Sequence, residues 1–314
     1  MNVNVDFAKE FAAYLSAAGG LAAAWTVVVG QAMNIKTNII HQTTHLRSLK
    51  SRKWARRIAE ALGIAVLAPP LDVYAAAHLG THHRPEKVGS MEDADVQFVR
   101  NLGFYPGMKV EAAWARYRRV LVSPAVHLRL LAERLRDNFA RGPLLRRIAA
   151  VVWWTGVPAL AAMNGVLGLV GLAYILPVTV IYQMAMITQA LSEHRHFTHP
   201  AGDRSRNWHA AVSHARFLGA PLPDRELPLI RKVPAYALWL ARMVGALVIR
   251  TAVLPGELIV HAGHHWSPSR ANWVRAPYSY RDLKAEMPKD QVREVWGLKD
   301  TLNDVFKGFE SARD

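Results

Sequence analysis

The chain has 314 residues, of which 39 are Lys or Arg and 24 are Asp or Glu, so its formal net charge is +15. It contains 14 histidines and no cysteine, which excludes disulfide frameworks, thiolate zinc fingers, cysteine-ligated iron–sulfur clusters and cysteine nucleophiles. A hydrophobic fraction of 51% is too high for a disordered basic tail. The charge therefore indicates either a nucleic-acid binder or a membrane protein with basic cytoplasmic segments, and any metal must be held by imidazole and carboxylate.

The first apolar stretch predicts a membrane-spanning helix. Residues 11–35 carry no charge, and these 25 residues are long enough to cross a bilayer. A cleaved signal peptide is the alternative, but the stretch lacks a basic leader and a clear small-residue cleavage site. Only Lys9 precedes the stretch as a base, whereas seven bases follow it, namely Lys36, Arg47, Lys50, Arg52, Lys53, Arg56 and Arg57. This asymmetry predicts a cytoplasmic C-terminal end.

A second uncharged stretch, residues 148–192, predicts a helical hairpin. Its 45 residues suffice for two spans, and the Asn164-Gly165 pair is a turn signal between them. Arginines precede the stretch and Arg195 follows it, so both of its ends are expected on the cytoplasmic side.

Two further apolar stretches do not resemble ordinary lipid-facing spans. Residues 61–77 contain two adjacent prolines and an aspartate, and residues 233–260 contain two arginines and a glutamate. We expect both to lie at the interface, to pack under a cytoplasmic cap or to be re-entrant. The predicted fold class is all-α, an integral membrane protein with about three spans and a basic cytoplasmic cap. We expect a single domain over residues 1–314, with its core at about 11–270 and a cytoplasmic tail at 271–314.

Eleven of the 14 histidines fall in four clusters. The clusters read HQTTH, HLGTHH, EHRHFTH and HAGHH, at residues 41–45, 78–83, 193–199 and 261–265. Only His127, His209 and His214 stand apart. Residues three or four apart share a face of an α-helix, so three of the clusters each point several imidazoles in one direction. A lone histidine is more often a hydrogen-bonded core residue, whereas four clusters together indicate a shared metal site.

The histidine count favours two metal ions over one. Imidazole-only sites suit Zn, Cu, Fe or Ni, and eight or nine histidines are too many for one four-coordinate zinc. Gln42 stands where helical HExxH zinc proteases carry their catalytic glutamate, which disfavours such a protease. If neither residues 61–77 nor residues 233–260 cross the membrane, all four clusters lie on its cytoplasmic side and can converge.

The boxes, in this order, resemble those of the membrane fatty acid desaturase and hydroxylase superfamily, which includes the integral-membrane alkane monooxygenases. The resemblance covers about residues 35–270: an HxxxH box, an HxxxHH box, a transmembrane hairpin, a further histidine and an HxxHH box. It implies a non-haem centre of two Fe ions that uses O₂ to abstract hydrogen from an unactivated C–H bond of a lipid-like substrate. The implied metal ligands are His41, His45, His78, His82, His83, His194, His261, His264 and His265.

Four carboxylates are candidates for orienting the ligating rings, with a solvated surface position as the alternative for each. They are Asp72, Asp93 and Asp95 (the latter two in EDAD, similar to an acidic segment of the family), and Glu193. The third cluster also offers His196 and His199, but Glu193-His194 followed by arginine is similar to the family's usual setting, which favours His194. Family members commonly have two spans before the first box where this chain has room for one, so the acyl tunnel is expected to be shorter or different.

The resemblance favours an acyl desaturase that introduces a double bond, with a hydroxylase on the same scaffold as the alternative. A non-catalytic membrane haem or metal-binding protein is the alternative from another class, but haem needs only one or two axial histidines. Because the chain lacks cysteine, we expect a separate ferredoxin- or rubredoxin-like electron donor with its reductase. The expected substrate is a membrane lipid or acyl chain, and no nucleic-acid motif is present. The expected location is a membrane, the inner membrane of a bacterium, with the boxes and the C-terminus cytoplasmic.

Overall fold

A computed structural model describes residues 3–84, 86–197, 213, 215–216, 219–266, 285 and 294–312, and this part of the chain is almost entirely helical. In chain order, its α-helices are α1 (Val3–Asn34), α2 (His41–Thr44), α3 (Arg52–Ala65), α4 (Leu71–Ala77), α5 (Ala94–Asn101), α6 (Val110–Val122), α7 (Pro124–Arg136), α8 (Leu144–Met163), α9 (Leu167–Val170), α10 (Tyr182–Glu193), α11 (Leu229–Ala252), α12 (His261–Trp266) and α13 (Gly297–Ser311). Two short strands, β1 (Ala215–Arg216) and β2 (Glu294–Val295), pair in parallel.

Wider and tighter helical turns join these elements. Five turns are π-helical, at Ile35–Ile40, His78–His82, Asp137–Arg141, Gly171–Ile175 and Pro177–Ile181, and a 3₁₀ turn occupies Gly256–Val260. The first π-helical turn leads directly into HQTTH, and the second covers the first five residues of the HLGTHH box, with His83 as its C-cap. In the second turn the amide of His83 donates to the carbonyl of His78, five residues earlier, at 2.9 Å. This bond brings His83 onto the face that carries His78 and His82, which an α-helix would not do.

Among the described residues, four helical segments are long and apolar enough to cross a membrane: Ala12–Thr44, Leu144–Met163, Leu167–Glu193 and Leu229–Ala252. The first three match the predicted first span and hairpin. The fourth covers most of residues 233–260, which were expected to lie at the interface, to pack under the cap or to be re-entrant, and it is as long and as apolar as a span. It contains two arginines, but the apolar residues around them keep the segment helical and hydrophobic on average.

Residues 61–77 do not form one continuous helix. Helix α3 ends at Ala65, and α4 begins at Leu71 after the proline pair. Two buried arginines from α7 and α8 hold this break in place. Arg134 donates to the carbonyls of Val66 at 2.7 Å and Val178 at 2.9 Å, and Arg146 donates to the carbonyl of Ala68 at 2.6 Å. The bonds to Val66 and Ala68 satisfy carbonyls just after α3, and the bond to Val178 ties the break to the second half of the hairpin.

Two apolar clusters flank the histidine boxes. The first packs the end of α1 against α3, α10 and the segment after α11, with Met33 and Leu258 among its buried residues. The second packs α13 against α5, α6 and α10, around Phe104, Phe306 and Phe309. Helix α10 supplies buried side chains to both clusters, so the helix that ends at the third histidine box connects the two halves of the core.

Candidate metal centre

All nine histidines predicted as ligands come together in one buried region. Eight of them form two groups of four, and within each group one ligand atom per residue lies within 4.8 Å of the others. The first quartet is His41, His45, His78 and His264, and the second quartet is His82, His194, His261 and His265. The ninth histidine, His83, lies between the quartets, with its Nε2 atom 3.2 Å from that of His264 and its ring stacked on His265 at 4.7 Å between centroids.

The Nε2 atoms point at one another. The Nε2–Nε2 distances are 3.0 Å for His41–His264, 3.1 Å for His45–His78, His194–His261 and His261–His265, and 3.2 Å for His83–His264. Two nitrogens that each lie about 2.1 Å from one metal, at a right angle, are separated by about 3.0 Å. Tetrahedral ligands at the same bond length would be about 3.4 Å apart. The contacts of 3.0–3.2 Å are thus close to the separation of two nitrogens that share one metal ion.

Hydrogen bonding alone does not account for these contacts. Nε2 of His264 contacts the Nε2 atoms of both His41 and His83, and Nε2 of His261 contacts those of both His194 and His265. A ring nitrogen carries either one proton or one lone pair, so it makes one such bond at a time. A cation shared by the lone pairs satisfies all of the nitrogens at once, and the donor set therefore fits a metal.

Burial keeps the imidazoles in the form that binds metal. Burial, with a smaller effect from neighbouring imidazoles, lowers the pKa of His78, His83, His264 and His265 well below 6.5. The pKa of His45, which is partly exposed, falls to about 4, again mainly because of burial. These rings are neutral at pH 7, and a neutral imidazole has the free lone pair that a metal requires.

His82 differs because two carboxylates face it. Its Nδ1 lies 3.3 Å from Oδ1 of Asp93 and 3.2 Å from Oδ2 of Asp95. Burial alone would lower the pKa of His82, but Asp95 and Asp93 outweigh burial and raise it to about 9. With this pKa the metal-free ring carries a proton on both nitrogens at pH 7, so a metal would have to displace the proton on Nε2. The carboxylates would keep the proton on Nδ1, which is the usual arrangement behind a ligating histidine.

Asp93 is itself fixed by the backbone. It is 2% exposed, and its carboxylate accepts from the amides of Gly89 and Asp95, both at 2.9 Å. Asp93 is also the N-cap of α5, so the start of that helix sets the position of the carboxylate and, through it, the ring of His82. The predicted orienting role of Asp93 and Asp95 thus agrees with their contacts.

The other predicted residues have different positions. Asp72 lies at the surface, where it pairs with Arg56 at 2.8 Å, so its predicted role in orienting a histidine is wrong. Residues six apart on an α-helix lie about 120° apart around its axis, and Asp72 precedes His78 by six, so the two side chains lie on different faces. Glu193 is buried beside the quartets and accepts from the side-chain amide of Gln189. His196 lies outside both quartets and donates from Nε2 to the carbonyl of Ala190 at 2.8 Å. His199 lies outside the described residues.

Two residues at the centre were not predicted. The hydroxyl of Tyr74 lies 3.4 Å from Nδ1 of His41, and Oγ of Ser213 lies 3.0 Å from Nδ1 of His194. Tyr74 could have been found, because it precedes His78 by four residues and so shares its helix face. Ser213 carries no sequence signal, since it reaches His194 only through a backbone bridge between two distant segments.

A cavity of about 200 Å³ adjoins both quartets. His41 and His78 of the first quartet and His82 and His261 of the second line it, together with an apolar wall that includes Phe98, Met186 and Leu258. Lys36 also lines it, and the Lys36 ammonium donates to Oε1 of Gln189 at 3.0 Å. The histidine centre therefore faces a space with an apolar wall on one part of its lining and with Lys36, Asp95 and Glu193 among its polar residues.

Comparison with known proteins agrees with this geometry. No curated protein and no solved structure matches the chain. The fatty acid desaturase family model, however, matches residues 17–221, well over half of the chain. The match includes the first three histidine clusters and stops before the fourth, HAGHH, which the fold brings into both quartets. The chain belongs to the fatty acid desaturase family.

Proposed function

We propose that the protein is an O₂-dependent membrane oxidoreductase with two non-haem Fe ions, and that it introduces a double bond into an acyl chain. The observation that carries the proposal is the pair of histidine quartets that share one cavity with an apolar wall. Family membership supports an oxidoreductase of the desaturase or hydroxylase type. Each quartet would hold one ion, with His83 between the two.

The donor set suits this choice of metal. Imidazole binds iron as well as zinc, copper and nickel, and nine imidazoles are more than two four-coordinate ions can use. Bound iron would supply the activation of O₂ and the removal of hydrogen from carbon. The chain supplies nine imidazoles for two ions, which leaves coordination positions for O₂.

The residues of the cavity would bind the substrate and exclude water. Phe98, Met186 and Leu258 form a wall against which methylene groups pack. The volume of about 200 Å³ lies below the 300–1,000 Å³ of typical ligand pockets, so we expect the cavity to hold one segment of an acyl chain. Lys36, held by Gln189, gives the cavity a donor that can face the polar end of that segment.

We place the histidine centre and the C-terminus on the cytoplasmic side of a membrane, the inner membrane if the source is a bacterium. Seven bases follow the first span closely while Lys9 alone precedes it, which supports this orientation. Because the chain has no cysteine, electrons would come from a separate ferredoxin- or rubredoxin-like protein and its reductase. A reporter fused to the C-terminus should be active in the cytoplasm, and a signal from the opposite side would contradict the orientation.

The central test combines metal analysis with lipid profiling. Detergent-purified protein should contain about two irons per chain, and a single zinc or a haem absorbance band would overturn the proposal. Cells that express the protein should contain an acyl chain with a new double bond, and cells that express the His264→Ala variant should not. A new hydroxyl group in place of the double bond would assign the hydroxylase reaction instead.

A further inference from the structure

A second and larger cavity lies between α11 and the start of α13, away from the nine histidines. Its volume is about 760 Å³, within the range of small-molecule sites. The face of α11 that lines it carries Arg242, Gly245, Ala246, Ile249 and Arg250. These residues follow the spacing of one helix face, so the arginines lie at the two ends of a groove with small residues between them.

We propose that this cavity binds the phosphate headgroup of an anionic membrane phospholipid. Among the described residues, neither Arg242 nor Arg250 has a hydrogen-bond or ion-pair partner. An arginine on such an apolar helix is costly unless it pairs or reaches polar surroundings, so two arginines on one groove need an anion or water. Arginine binds phosphate through two parallel hydrogen bonds, which favours the anion.

The start of α13 adds to the positive potential of the cavity. Gly297, Leu298 and Lys299 line it, and the helix has no side-chain cap, so its first amides are available to an acceptor. Lys299 contributes a further positive charge, and Asp300 is the only carboxylate among the described lining residues. The described lining thus has three cationic side chains and a helix N-terminus but one carboxylate, so its electrostatic potential favours an anion.

The path of the chain places this cavity at the membrane surface. Ser213 contacts His194 at the histidine centre, and α11 begins at Leu229 and ends nine residues before His261. If α11 crossed the bilayer, residues 217–228 would also have to cross it. Their described part, 219–228, is not helical and is largely exposed, and Trp239 donates to the carbonyl of Ala220 at 2.9 Å. Exposed non-helical backbone does not cross lipid, so α11 lies along the interface, where phospholipid headgroups are.

The apolar part of the lining fits a lipid better than a free anion. The cavity is lined beside the arginines by four apolar residues, Ile249, Leu254, Ile259 and Leu298. Trp296 also lines it and is half exposed, and tryptophan is a residue type enriched at membrane interfaces. A Cβ atom built on Gly245 would meet no other heavy atom within 4 Å, so the groove is open at its middle. The cavity thus offers cations for a headgroup and apolar surface for the first part of an acyl chain.

The test measures binding of short-chain phosphatidylglycerol to the full-length, metal-loaded protein in non-ionic detergent. The Arg242→Gln/Arg250→Gln double variant should bind it about tenfold more weakly or worse. Arg231→Gln is the matched control, because Arg231 lies on the same helix, is exposed and does not line the cavity, and its affinity should stay within about twofold of the wild type. Equal binding by the double variant and the wild type would overturn the proposal.

A second variant separates the cavity from general charge effects. Gly245→Leu fills the open groove without a change of charge and should weaken phosphatidylglycerol binding as strongly as the arginine variants, while the iron content stays normal. Unchanged binding by this variant would overturn the assignment to this cavity. If phosphatidylcholine bound as tightly as phosphatidylglycerol, the cavity would not select an anionic headgroup. If inorganic phosphate competed at the same concentration as phosphatidylglycerol, the cavity would not select a lipid. Either result would overturn the proposal.

Discussion

The two quartets are built from the same side chain but are supported differently. All four histidines of the second quartet are buried. Asp93 and Asp95 contact Nδ1 of His82, and Ser213 contacts Nδ1 of His194. The first quartet includes the partly exposed His45, and the hydroxyl of Tyr74 contacts it at 3.4 Å. Carboxylates behind a ligating ring raise its basicity and fix its orientation. The comparison indicates that the second quartet would bind its metal more tightly and that the first would be the more adaptable site.

The largest expected effect follows from removal of a histidine that several others contact. His264→Ala takes away the neighbour of both His41 and His83, so we expect loss of the iron of the first quartet and activity near background. His261→Ala should do the same to the second quartet, because His261 contacts His194 and His265. Metal analysis and lipid turnover check both variants.

His127→Ala is the control for the histidine variants. His127 is buried outside the quartets and donates from Nε2 to the carbonyl of Leu121 at 2.7 Å. Its removal should lower the free energy of unfolding by about 1–3 kcal/mol and leave the iron content unchanged. Equal iron loss in all three variants would mean that the quartets are not the metal ligands.

A smaller effect is expected for Asp93→Asn. The amide cannot hold the proton of His82 as a carboxylate does, so the metal of the second quartet should bind about 10–100-fold more weakly. The first quartet should keep its affinity. Iron titration of the metal-free protein, with two resolved binding steps, measures both, and Asp95→Asn should have a weaker effect because Asp95 is partly exposed. An equal loss at both steps would remove the distinction between the quartets.

Loss of a single hydroxyl group should weaken metal binding less than loss of the Asp93 carboxylate. Ser213→Ala removes a contact at 3.0 Å from the second quartet, and Tyr74→Phe removes one at 3.4 Å from the first. A hydrogen bond of this kind contributes about 0.5–1.5 kcal/mol, so each change should weaken its own metal about two- to tenfold, with the shorter contact giving the larger loss. The same titration tests this, and a reversed order would contradict the comparison.

The smallest effect is expected for Asp72→Asn. Asp72 and Arg56 form an exposed ion pair, which contributes about 0–1 kcal/mol to stability. The variant should bind iron at both sites as the wild type does. A clear loss of iron would restore the orienting role that the sequence suggested for Asp72.

The sequence was most informative where the chemistry depends on local spacing. The repeats of histidine at three and four residues predicted that rings within three of the clusters share a face, and the resemblance to the family implied the full set of nine. The acidic pair after the second box includes the carboxylates on His82. The sequence could not predict the π-helical turn that turns His83 toward the centre, because no residue pattern distinguishes that turn from an α-helix. Ser213 was missed since tertiary packing alone brings it to His194. The arginines of α11 counted against an ordinary span, and the position along the interface that we propose for this helix agrees with that expectation.

The fourth box has a consequence for the stability of the whole chain. Each quartet takes members from HAGHH, so a bound ion would connect residues that are as far as 223 positions apart, as in the pair His41–His264. Such a connection closes a very long loop in the chain and lowers the conformational entropy of the unfolded protein, as a covalent cross-link does. Metal binding would in this way stabilise the folded protein by linking the beginning and the end of the membrane domain.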